Sequence, residues 1–193
     1  MRKQLRIQLY PTLIYDVECP ELIDDVLKEF SKVKWKDDWA NINDTVFTLD
    51  NNKTLVKKIE NVVNETLSEI EYTVPLKMST SWFTRIPTGA MGRNHYHKNS
   101  FYSGIFYFQD CNSNLVVSKQ DPQIHVPSKT KNLGLVSSGE VALKADKGHM
   151  ILIPSYIRHH IEKNFKGEDR NSLAMNFMPI GLCYSEDSSY NYK

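Results

Sequence analysis

Apolar positions recur at helical spacing over the first 75 residues, then give way from about residue 74 to short apolar or alternating runs separated by turns. Pro20 suits the first turn of a helix that carries Leu22, Ile23, Val26, Leu27 and Phe30 on one face. A second helix, capped by Asp50 or Asn51, carries Leu55, Val56, Ile59, Val62, Val63, Leu67 and Ile70. Ahead of the first helix, residues 9–15 read as a strand broken near its start by Pro11, which favours an edge position. Residues 45–49, between the helices, read as another short strand.

The second texture is β. Residues 81–86 alternate loosely and run into a Pro87-Thr88-Gly89-Ala90 turn. Residues 103–108 are rich in β formers, and shorter strands are predicted at 114–118, 124–126, 140–143, 149–153 and 172–177. This spacing predicts a mostly β fold with flanking helices, a sandwich or jelly roll. Residues 127–139, rich in Ser, Lys, Asn and Gly, read as a surface loop with the length of a lid. The polar tail from residue 185 is expected to fray.

The 193 residues predict a single domain over 1–193, with a helical lead-in to residue 75, a β core over 76–182 and a tail over 183–193. A hydrophobic share of 40% beside 24% charged residues suits a globular chain. The net charge of +1, with scattered Lys and Arg, lends no support to a nucleic-acid partner. Cys19, Cys111 and Cys183 are odd in number and form no CxxC pair, so neither a zinc knuckle nor a disulfide framework is indicated. The N-terminus lacks a signal-peptide core and no apolar stretch is long enough for a bilayer, so a reducing, cytoplasmic setting without a membrane partner is expected. The sequons at Asn43 and Asn64 then carry no consequence.

Chemistry concentrates at three places. His95 and His97 lie two residues apart, which on extended chain puts both imidazoles on one side. An HxH also occurs as a pair of surface histidines; here Gly89 and Gly92 shape a loop that feeds it. Residues 148–160 then give a glycine turn, an apolar strand and a Pro154 turn that deliver His159 or His160 to a fixed place, 62 positions beyond His97 in the case of His159. Imidazole is the commonest transition-metal ligand among side chains. Arg170-Asn171-Ser172 follows, with Arg170 and Ser172 on one face of an extended chain, a rigid fork and a hydroxyl able to grip a carboxylate. The aromatics Trp82, Phe83, Tyr96, Phe101, Tyr102 and Phe106 either line a pocket or belong to the β core.

His95, His159 and Arg170-x-Ser172, in this order and spacing, resemble the 2-oxoglutarate- and Fe(II)-dependent oxygenases. More narrowly, the chain resembles a group of small members from marine bacteria and phages. Its marks are Leu9-Tyr10-Pro11-Thr12-Leu13-Ile14-Tyr15, Ser81-Trp82-Phe83, His95-x-His97-x-x-Ser100-x-x-Ser103-Gly104, Pro154-Ser155-Tyr156-Ile157-Arg158-His159 and Arg170-Asn171-Ser172-x-x-x-Asn176-Phe177. The resemblance implies a double-stranded β-helix (jelly-roll or cupin-like) core with helices packed on one side. It implies Fe(II) on His95, His97 and His159, and 2-oxoglutarate held through its distal carboxylate by Arg170 and Ser172. Tyr107 matches a tyrosine that shares this carboxylate in related prolyl hydroxylases, or is a core tyrosine. The implied activity is hydroxylation of an unidentified substrate with O2, converting 2-oxoglutarate to succinate.

One departure stands out. The broad family uses two histidines and a carboxylate, whereas His97 occupies the carboxylate position and gives a neutral triad. Neither Asp110 nor Glu162 falls at that position, and His97 is too large for the vacancy that halogenating relatives leave there. The competing reading is a cupin-type metal-binding protein or metalloenzyme that does not use 2-oxoglutarate. Gly89, His95-x-His97, Gly148, Pro154 and His159 follow the two cupin motifs in part. The glutamate expected shortly after His97 is absent, Tyr156 stands where glycine belongs, and a cupin has no need of Arg170-x-Ser172.

Overall fold

The computed structural model describes residues 12–36, 42–69, 74–118, 139–165, 167–183 and 186–193. In chain order these form β1 (Tyr15–Glu18), a 3-10 turn at Pro20–Leu22, α1 (Ile23–Phe30), α2 (Lys53–Ser68), β2 (Leu76–Ile86), β3 (Tyr102–Phe106), β4 (Leu115–Ser118) and β5 (Glu140–Leu143). They continue with β6 (His149–Pro154), β7 (Arg158–Ile161), β8 (Arg170–Pro179), β9 (Gly181–Cys183) and β10 (Tyr190–Tyr192). A five-stranded antiparallel sheet runs β1-β6-β3-β8-β2, and a three-stranded one runs β5-β4-β7. The two sheets face each other as a jelly roll, with the helices on the far side of the larger sheet.

Period-two alternation divides the larger sheet into two faces. Leu173, Met175 and Phe177 of β8, Phe106 of β3 and Met150 and Leu152 of β6 share a core with Leu22 and Val26 and with Leu55, Ile59, Val63 and Leu67 of α2. The opposite face looks between the sheets, where Ile105, Ile151 and Ile153 meet Leu115 and Val117 of β4. Strand register fixes what else lies on that inner face. Thr80, Trp82 and Thr84 stand opposite Asn176, Ala174 and Ser172, while Ser103 and Ile105 stand opposite Asn176 and Ala174. Central strands covered on both sides lose the polar alternation of a half-exposed strand; all of β3 is buried.

The helices lie close to the sequence-based expectation, with adjustments. Pro20 opens the 3-10 turn that leads into α1. Leu22 and Val26 are buried, but Leu27 is 41% exposed, since it stands about 100° around the helix from Val26. The cap of α2 is Asn52, one residue past the expected pair, and its Oδ1 accepts from Leu55 N at 3.0 Å. Ile70 lies outside the described residues.

The strands differ more. Of the strand expected over 9–15, residues 9–11 lie outside the described residues and 12–14 are not strand; the strand is β1, displaced toward Glu18. It does sit at a sheet edge, paired with β6. Residues 45–49 form no strand: Phe47 makes a single bridge to Ser81, and a turn begins at Thr48. The predicted strand at 124–126 and all of the 127–139 loop but Gly139 lie outside the described residues. The tail is more ordered than its polarity implied, because Tyr190–Tyr192 pairs with Gly181–Cys183 and the Tyr190 and Tyr192 rings lie 4.6 Å apart. No described helix is long and apolar enough to cross a membrane.

One irregular segment closes the mouth between the sheets. Gly89 turns with φ +85°, and its N–H donates to Asn164 O. Gly92 N–H donates to Ile161 O at 3.0 Å, and His95 and His159 exchange hydrogen bonds of 2.9 and 2.8 Å. Residues 89–95 thus run antiparallel to β7. A Cβ on Gly92 would lie 2.9 Å from Ile161 N, so the backbones must part to admit one. Gly92→Ala is expected to cost about 1–3 kcal/mol of stability, read as a lowered urea midpoint at unchanged slope.

Candidate active site

The bridge between His95 and His159 places two imidazoles side by side across the mouth, and His97 follows on the same side as His95, its N–H bonded to Ser155 O at 2.9 Å. One ring nitrogen from each of His95, His97 and His159 falls within 4.8 Å of the others. Their burial is graded: His159 is buried, His97 half-buried and His95 exposed, so the cluster opens to solvent on one side.

The Nδ1 atoms set the tautomers. His95 Nδ1 donates to Arg93 O at 2.7 Å and His159 Nδ1 to Ile157 O at 2.9 Å. His97 Nδ1 donates to Asn176 Oδ1 at 2.5 Å, with Ser103 Oγ at 3.0 Å. With every Nδ1 protonated, every Nε2 carries a bare lone pair, and those of His95 and His97 face each other at 3.1 Å. Converging acceptors with no donor between them repel; a cation removes the conflict, and three neutral imidazoles suit a divalent transition metal. Burial pushes the His159 pKa down to about 3, helped by the neighbouring histidines and opposed by the Ile157 carbonyl. Burial lowers that of His97 too, against its bond to Asn176. Both are neutral near pH 7 and able to bind metal.

Farther along the inner face, Arg170 is 1% exposed, the largest fully buried side chain described. Its Nε donates to Ser113 O at 3.3 Å, Nη1 to Ser172 Oγ at 3.2 Å and Nη2 to Tyr107 OH at 3.1 Å. A guanidinium has five N–H groups, so one remains on each Nη. Among the described residues no carboxylate forms an ion pair with it. The Tyr107 phenol is wholly buried, which raises its pKa to about 12 although the Arg170 charge pulls it down. It therefore stays protonated and, accepting from Arg170, keeps its own O–H to give. Ser172 Oγ is also 2.7 Å from Thr84 Oγ1.

The structure thus brings His95, His97 and His159 together at one end of the face and Arg170, Ser172 and Tyr107 at the other. His160 points the other way, opposite Val116. Of the aromatics named from sequence, Phe83, Tyr102 and Phe106 belong to the helix-side core, Tyr96 and Phe101 are exposed, and Trp82 lies on the inner face with its ring 5.5 Å from that of His97. In the sequence, Asn176, Ser103 and Ser155 stand only as parts of motifs, without roles. Counting in twos along β8 from Arg170 and Ser172 reaches Ala174 and Asn176, a signal the sequence contained.

A family profile described as "Putative 2OG-Fe(II) oxygenase" matches residues 80–176, just over half of the chain. No curated protein matches the chain in sequence. Among solved structures, HygX from Streptomyces hygroscopicus with nickel, 2-oxoglutarate and hygromycin B bound superposes with a TM-score of 0.61 at 10% identity, over 87% of this chain and 83% of its own. A 2OG-Fe(II) oxygenase family oxidoreductase from Burkholderia pseudomallei gives 0.63 at 10% identity, over 85% and 83%. A Pseudomonas putida prolyl-4-hydroxylase gives 0.56 at 12% identity, over 88% and 94%. At these identities the likeness shows the shared fold, while the profile spans every residue from the inner face of β2, through the histidine cluster and Arg170, to Asn176. The chain belongs to the 2OG-Fe(II) oxygenase family and is an oxygenase dependent on Fe(II) and 2-oxoglutarate.

Proposed function

We propose that His95, His97 and His159 hold Fe(II) through Nε2, that Arg170, Ser172 and Tyr107 bind the distal carboxylate of 2-oxoglutarate, and that the enzyme hydroxylates a C–H bond of a substrate yet to be identified. The observation that carries this reading is Arg170, a fully buried guanidinium with two free N–H groups and no described carboxylate. Burying an unpaired charge is expensive, so a site that keeps one is built for an anion. A cupin that does not use 2-oxoglutarate would leave that charge without purpose.

Fe(II) and 2-oxoglutarate together supply the oxidising chemistry: one oxygen atom of O2 enters the substrate C–H bond and the other leaves in succinate, with release of CO2. The protein binds, orients and shields. Arg170 keeps one N–H free on each Nη, and both can be given to a carboxylate. Tyr107 adds its O–H, and Ser172 Oγ, which accepts from Arg170 and can accept from Thr84, keeps its own O–H for the same carboxylate. Between this end and Asn176 the strand offers only Ala174, whose small side chain leaves the floor low for an extended dicarboxylate. Ser172 and Asn176 are four residues apart, about 13 Å of strand. The reading takes residues 1–193 as one domain working in a reducing cytoplasm, which the free thiols of Cys19, Cys111 and Cys183 support.

The test is anaerobic titration of metal-stripped protein with Fe(II) and 2-oxoglutarate, following the visible charge-transfer band of the chelate. Wild type is expected to develop the band only with both present. Arg170→Met and Ala174→Leu should still take up Fe(II) and give no band, whereas His159→Ala should lose metal as well. An unchanged band in Arg170→Met would sink the assignment. Tyr107→Phe removes one hydrogen bond to a charged group, so its 2-oxoglutarate Kd should rise about 10- to 100-fold.

A pH dependence follows from His159. Its folded pKa, about 3, lies below the unfolded value of about 6.5, so the unfolded chain takes up a proton that the native state refuses. Metal-free protein should lose stability as pH falls through that window, and His159→Gln should flatten the slope, measured as urea midpoints against pH.

A further inference from the structure

We infer that Asn176 is the positioning residue that selects the metal-binding tautomer of His97, and that the polar chain around it exists to hold that amide in one orientation. The inference rests on the proposed three-histidine site and adds the device that makes its third ligand usable.

The three histidines are not oriented alike. His95 and His159 each give their Nδ1 proton to a backbone carbonyl two residues earlier, at Arg93 and Ile157. Local chain geometry therefore sets both tautomers. The Nδ1 of His97 is served instead by a side chain 79 residues away, Asn176 Oδ1. This difference matters because the ring has another option. In its Nε2–H form His97 would donate to His95 Nε2, already 3.1 Å away, and that bond would close the cluster to metal.

Asn176 blocks that option. An Nε2–H tautomer would leave an Nδ1 lone pair against the Oδ1 lone pairs at 2.5 Å, a repulsive contact. Turning the amide over to relieve it would require both of its hydroxyl partners, Ser103 and Thr80, to exchange donor and acceptor roles. The amide Nδ2 donates to Thr80 Oγ1 at 3.0 Å, and its Oδ1 also accepts from Ser103 Oγ at 2.8 Å. Ser103 Oγ also lies 2.8 Å from Ser155 Oγ, and the Ser155 hydroxyl donates to Ser100 Oγ at 2.8 Å. Both acceptor positions of the amide oxygen are thus filled by donors, and the amide nitrogen is engaged across the β2–β8 ladder.

The experiment compares wild type, Asn176→Ala, Asn176→Asp and His159→Ala. In 15N-histidine-labelled, metal-free protein, long-range proton–nitrogen spectra distinguish Nδ1–H from Nε2–H rings; anaerobic titration gives the Fe(II) Kd. Wild-type His97 is expected as Nδ1–H. Asn176→Ala should move it toward Nε2–H and raise the Fe(II) Kd about 10- to 100-fold, the usual scale for loss of a ligand's outer partner. Asn176→Asp keeps an acceptor and should retain both the tautomer and the affinity. If Asn176→Ala does not fold, Thr80→Val, which frees the amide to rotate, should shift both readouts in the same direction. The inference falls if Asn176→Ala leaves the tautomer and Kd unchanged, or if Asp and Ala weaken binding equally, which would mean simple packing. No Fe(II) uptake by wild type, or equal uptake by His159→Ala, overturns the three-histidine reading and the inference with it. Uptake lost in His159→Ala but untouched in Asn176→Ala overturns the inference alone.

Discussion

Burial of β8 on both faces is the constraint from which the site follows. A strand in the middle of one sheet, covered by helices on one side and by a second sheet on the other, meets no water along most of its length, and Arg170 to Met175 are all buried. Its helix side can be plain hydrocarbon, as Leu173, Met175 and Phe177 are. Its inner side carries Arg170, Ser172, Ala174 and Asn176, and each polar group there must find a partner in the protein or in a ligand. Partners come from the two neighbouring strands at the same register: Thr84 and Thr80 on β2, Ser103 on β3. One strand thus carries both the Arg170–Ser172 pair and the amide bonded to the His97 imidazole, and their separation is set by its rise per residue.

Not every polar group on that face is satisfied from within, and the shortfall is informative. Hydroxyl and carbonyl dipoles from Ser172, Tyr107 and Ser113 solvate Arg170 but do not neutralise it. A leucine there would be less costly for folding. Keeping the cation stores a preference that an anion can satisfy, and a ligand that binds only the native state adds RT ln(1 + [L]/Kd) to its stability. The same logic applies at the metal end, where lone pairs converge without a donor. Both ends of the inner face are therefore less comfortable empty than filled, as expected of binding residues and not of a core.

The sequence made the periodic parts of this arrangement legible and concealed the parts that depend on register. Hydrophobic spacing located both helices, and β propensity located the cores of β2, β3, β4, β5, β6 and β8. The caps and edges moved by a residue or more because they are decided by single hydrogen bonds, as at Asn52. β7 was hidden: Arg158, His159, His160 and Ile161 have no strand-like pattern, and their extension comes from pairing with β4 on one side and residues 89–95 on the other. His95, His97, His159, Arg170 and Ser172 stood out because those residue types at those intervals have few other uses. Asn176 did not, since an asparagine on a strand acquires meaning only when the fold sets His97 beside it.

The neutral triad changes how the site divides its affinity. With a carboxylate at position 97 the metal would be partly neutralised by the protein, and the protein–metal bonds would gain a Coulombic contribution. On the proposed reading, three neutral imidazoles would leave the full divalent charge on a metal held there, and Arg170 adds a further positive charge on the same low-dielectric face. The 2-oxoglutarate dianion would then meet positive charge at both of its ends. Attraction withdrawn from the protein–metal bond reappears between metal and co-substrate, so each strengthens the binding of the other more than it would in a carboxylate triad. Such a centre would hold metal weakly until the dianion arrives. It therefore depends more on accurate aim of its three neutral donors, and an imidazole that could turn toward its neighbour instead of the metal is the one donor whose aim the protein secures from a distant strand.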